Sequence, residues 1–158
     1  HRSVFETCDL FDEQFEGMRM GDGEFGLRAH KAGILSISNP EAKRFHLKTE
    51  QGGLRQMGSW DALRPTCIFK PRPIPSVLYL ANLHFGKSVA LCYLLTSIPF
   101  SLSPYIWKDT LKGGILSLFL FVILFPVVVL QVIVSGVMAY FLVKDGPKVS
   151  PLITLKME

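Results

Sequence analysis

His84 has the strongest claim to chemistry in this 158-residue chain. It lies in a mostly apolar stretch from Ser76 to Ile98, three residues before Lys87, and an imidazole held inside a membrane can ligate haem iron or the magnesium of a chlorophyll. The competing reading, a histidine bonded within a helix bundle or lying at an interface, needs no cofactor and takes precedence. His30 and His46 stand apart without companion ligands, so no metal site is expected. Cys8, Cys67 and Cys92 have no Cys-x-x-Cys spacing, which argues against a disulfide framework. Gly21, Gly23 and Gly26 match the spacing of a dinucleotide-binding turn. That motif needs a buried strand before it, whereas Phe15 to Met20 look like a helix end, and Asp22 and Glu24 inside the loop would oppose a pyrophosphate. A flexible glycine turn is expected there instead. No grouping of Ser, His and Asp or of Cys and His, no zinc-ligand spacing and no phosphate loop appears, so the chain is read as non-catalytic and without a resident cofactor, bound lipid aside.

The element that must position these residues is a helix. From Gly113 to Val143 the chain runs thirty-one residues without Asp, Glu, Lys, Arg or His, and about twenty apolar residues are enough to cross a bilayer. The expected fold is therefore an α-helical membrane protein. At about 1.5 Å per residue the run exceeds a hydrocarbon core of ~30 Å, so it must tilt, kink or protrude. Pro126 is the expected kink site. Gly113 with Ser117, and Ser135 with Ala139, have the small-xxx-small spacing that lets another helix approach closely, and Gln131 needs a polar partner inside the bilayer. These residues mark 113–143 as a packing element rather than a plain anchor. Most of its neighbours are expected to belong to other subunits.

A second crossing is expected within 73–112, a Pro-rich lead-in followed by the first membrane segment. Ser76 to Ile98 is interrupted by Asn82, His84 and Lys87, whereas Ser88 to Trp107 is uncharged throughout. A tilted helix ending at Pro99, a kinked crossing from about Ser88 to Trp107 and a surface-lying segment are all open, and a crossing is preferred. Pro65, Pro71, Pro73 and Pro75 make a stiff approach that would place Lys70 and Arg72 at headgroup level.

Residues 1–72 form a polar arm, and 144–158 a short polar tail. The arm holds eleven of the seventeen Lys and Arg residues and ten of the thirteen Asp and Glu residues, the acids concentrated before residue 25. Its basic part suits anionic lipid headgroups, and nucleic acid is not expected because no aromatic residues interleave with the basic ones. Ser3 and Glu6 fit a capping box. After it Val4, Cys8, Phe11, Phe15 and Met18 recur at helical spacing, predicting an amphipathic helix over about 3–17 whose stripe docks on a partner protein. Lipid is a poor partner for so acidic a helix. Residues 27–64 look extended, with a short helix possible from Glu41 to Thr49 and Phe45, Leu54, Met57 and Trp60 as anchors. The chain begins at His1, so a targeting peptide removed upstream is expected.

An arm that drapes, a helix that docks and one or two spans that pack make an accessory subunit. In general build the chain resembles the small nuclear-encoded subunits of mitochondrial respiratory complexes and ATP synthases, a likeness of architecture rather than of motif. It implies a structural role in a large energy-transducing complex of the mitochondrial inner membrane. The bias of Lys and Arg toward the arm and tail puts both on the matrix side. The alternatives are a pigment-associated subunit of a thylakoid complex and a free-standing adaptor or oligomeric channel.

Overall fold

The computed structural model describes residues 2–37, 39–41, 70–106 and 111–152, with side chains outside 103–106, 111–118 and 120. It is mostly helical, and it divides into two compact units, one formed by His1–Met57 with Pro147–Glu158 and the other by Gly58–Gly146.

In the first unit, α1 (Arg2–Cys8) ends after seven residues. Asp9 leaves the helix with a left-handed φ of 60°, a conformation that Asp tolerates better than most side chains. Asp12 then pairs with Val149 as an isolated antiparallel bridge. Leu10 N–H donates to the Ser150 carbonyl at 3.1 Å, and Glu13 N–H donates to the Lys148 carbonyl at 3.0 Å. The Asp12 carboxylate accepts from the backbone N–H groups of Gln14 and Lys148, each at 3.0 Å, and so caps the 3-10 turn Glu13–Phe15. The amphipathic helix expected over about 3–17 therefore stops at Cys8. Its apolar spacing is real, but backbone pairing with the tail satisfies the same groups that a continuous helix would have used. The tail is likewise no independent segment, since 148–150 complete this unit.

The glycine segment expected as a loop opens α2 (Gly21–Lys31). Asp22 and Glu24 lie in its first turn and Arg28, His30 and Lys31 in its last, the distribution that complements a helix dipole. Gly21 packs tightly, since a Cβ there would lie 3.2 Å from the Phe15 Cβ. Glu24, almost fully buried, receives both Arg28 Nε and Nη2, at 3.1 and 2.8 Å. Arg28 Nη1 also donates to the Cys8 carbonyl, tying α2 to the end of α1. Phe25 stacks on Phe5 with 5.0 Å between ring centroids and lies 4.7 Å from Phe11. An ion pair and an aromatic trio thus give the arm a small core of its own.

The second unit holds α3 (Pro75–Phe85), α4 (Lys87–Ile106) and α5 (Leu111–Asp145). Pro75 starts α3 at the first helical position, where its missing N–H costs nothing. Gly86, with φ 93° and ψ 167°, separates α3 from α4, so Ser76 to Ile98 is no continuous helix. The apolar segment that stays whole is α4, close to the expected 88–107. At thirty-five residues, α5 passes through Pro126 as one helix element. All three helices pack on one another. Leu102 joins Val128 and Val132 in the core, and Leu94 approaches Gly136 so closely that a Cβ there would lie 3.2 Å from the Leu94 side chain. Numbers fall along α4 as they rise along α5, so the two run antiparallel.

The Glu41–Thr49 helix and the anchors Phe45, Leu54, Met57 and Trp60 lie outside the described residues.

Candidate functional site

Gln131, Ser135 and Ala139 fall at intervals of four and form one buried stripe on α5, with Val128 and Val132 beside it. What covers this stripe is the chain's own α3 and α4, together with the proline lead-in. Arg72 N–H donates to the Gln131 carbonyl at 3.2 Å, and the Ser135 hydroxyl donates to the Pro73 carbonyl. Ser135 and Ser76 are fully buried. A proline lead-in suits such a place because each proline brings a carbonyl but no N–H that would need an acceptor. The lead-in was expected to hold Arg72 at headgroup level; instead Arg72 is buried beside the middle of α5. The small-residue pair Ser135 and Ala139 was expected to receive other subunits, and this chain fills it. Gly113 and Ser117 belong to α5, but their side chains lie outside those described.

His84 lies in the last turn of α3, half-buried, with its ring centroid 6.5 Å from that of Phe85. Among the described residues no group of three or more His, Cys, Asp or Glu side chains converges. Cys8 is a buried free thiol and Cys92 an exposed one, while Cys67 lies outside the described residues.

The expected docking stripe divides in two. Cys8 and Phe15 are buried in the arm's own core and Val4 and Met18 are partly buried, which leaves Phe11 as its exposed member. Phe11, Met18 and Met20 instead line a cleft of about 700 Å³, together with the acids Asp12, Glu13, Glu16 and Asp22 and with Arg19. No periodicity signalled this cleft, because it is built by the turn between α1 and α2.

A long apolar surface runs along the outward side of α4 and α5. Leu91, Leu95 and Phe100 on α4, and Val122, Ile133 and Phe141 on α5, are each more than half exposed. α5 is the one helix among the described residues that is long and apolar enough to cross a membrane, over Phe121–Asp145, and only 22% of its most apolar stretch is buried within the structure. No protein-family model, curated protein or solved structure matches the chain.

Proposed function

We propose that the chain is a membrane-embedded, non-catalytic accessory subunit of a large energy-transducing complex, of the kind found in the mitochondrial inner membrane. The observation that carries the reading is the exposure of α5. A core helix of a water-soluble protein buries its apolar surface, and a soluble monomer rarely leaves a patch of this extent in water. Lipid tails or the helices of other subunits are the environments in which such a surface is stable. α4 supports a second crossing, since its twenty residues reach about 30 Å at 1.5 Å per residue. The buried stripe on α5 is satisfied internally, so the surface left for other subunits is the outward apolar side and the acid-lined cleft of the arm. With the arm and tail cations outnumbering Lys108 and Lys112, the matrix side remains the orientation that charge bias favours.

Two measurements test this. Alkaline carbonate extraction of native membranes should leave the chain in the pellet; release into the supernatant would remove the membrane reading. After mild detergent solubilisation the chain should migrate on native gels with a megadalton-scale assembly. Migration as a free monomer or small homo-oligomer would overturn the subunit reading and favour a free-standing adaptor or channel, whereas co-migration with chlorophyll proteins would move it to the thylakoid.

A further inference from the structure

A groove of about 500 Å³ opens among α3, α4 and α5, within the range of small-molecule clefts, roughly 300–1,000 Å³. Its two ends differ in chemistry. Lys87, at the start of α4, and Lys144, near the end of α5, line one end together with Asn82. Ala90, Leu94, Gly136 and Ala139 are among the residues that line the rest, with Leu91 and Tyr140. From Lys144 to Gly136 is eight residues, about 12 Å along the helix, so the trough descends from the cations along the apolar middle of α5. The antiparallel packing brings the two lysines, fifty-seven positions apart in sequence, to the same end. Both are exposed, and neither has a hydrogen-bond or ion-pair partner among the described residues.

We infer that this groove holds an anionic glycerophospholipid, its phosphate between Lys87 and Lys144 and one acyl chain along Ala90, Leu94, Gly136 and Ala139. The inference rests on the membrane reading, which puts the lysines at headgroup level and the trough at acyl-chain level. Charge complementarity selects the ligand. Two ammonium groups without a hydrogen-bond or ion-pair partner among the described residues attract a phosphodiester, and a choline headgroup would bring a third positive charge to the same place. The groove's own volume of about 500 Å³, lined by Leu91, Tyr140 and Val143 as well as by the small residues, is what the chain of the lipid fills.

The test uses the full chain in nanodiscs of mixed phosphatidylglycerol and phosphatidylcholine, released in a native mass spectrometer that counts retained lipids. The unaltered chain should retain phosphatidylglycerol in preference to phosphatidylcholine. At about fivefold per lysine, the double substitution Lys87→Gln with Lys144→Gln should lower that preference roughly twenty-five-fold, and replacing both lysines with Arg should keep it. Leu91→Trp, at a groove-lining position that is 55% exposed, fills the trough while leaving both cations in place, and it should abolish retention with helicity by circular dichroism unchanged. Equal retention of the two lipids by the unaltered chain, or an unreduced preference in the double glutamine variant, overturns the site. So does retention by Leu91→Trp, which would mark surface attraction to the lysines alone. A chain that never enters the nanodisc removes the membrane reading and the site together, whereas one that enters without preference removes only the site.

Discussion

Ser135 shows how far a single residue can be read before a structure exists. A hydroxyl in a thirty-one-residue uncharged run must find an acceptor, but what was legible was the small-residue spacing of Ser135 with Ala139 and the need of Gln131 for a polar partner. The acceptor itself was not, because the Pro73 carbonyl lies sixty-two positions away and nothing in the spacing around Ser135 points to it. Ser135→Ala should strand that buried carbonyl at a cost of about 1–3 kcal/mol. Thermal unfolding in detergent should then begin several degrees lower, and an unchanged midpoint would show that the bond contributes nothing. His84 illustrates the converse. Its residue type suggested ligation, but its surroundings, the last turn of α3 and the Phe85 ring, could not be read from it.

Elements were legible where composition decides them and obscure where a distant segment does. The long apolar run became α5 because no charged side chain interrupts it, and Ser88 to Ile106 became most of α4 for the same reason. Between the arm's apolar stripe and a real helix stood the tail, whose backbone claims Leu10, Asp12 and Glu13. Periodicity cannot register a competitor more than one hundred and thirty residues away. Gly86 belongs to this scale as well. Its φ and ψ lie in a region that is essentially restricted to glycine, and a Cβ there would meet nothing within 4 Å, so Gly86→Ala isolates backbone strain from clash. The substitution should cost roughly 1–3 kcal/mol despite alanine's better helix propensity. If urea or thermal titration showed the variant as stable as the parent, the sharp break between α3 and α4 would not be a fixed feature.

At the scale of the whole molecule the arm has a core of its own, and the surface left for partners is smaller than the sequence pattern implied. Phe11→Asp adds charge to an exposed ring, which should weaken co-migration with the assembly while membrane extraction stays unchanged. Phe15→Asp should instead unfold the arm, because its ring is buried at 5% exposure, and burying an unpaired carboxylate is costly. Limited proteolysis distinguishes the two: an arm cleaved equally fast in both variants would mean that Phe11 is structural as well. The bridge between Asp12 and Val149 has a consequence of a different kind. Two residues that touch stand on one face of any bilayer, so the chain between them traverses it an even number of times. Under the membrane reading a solitary crossing by α5 breaks this parity, α4 becomes the return path, and labels attached at the first and last residues of the chain would report the same compartment.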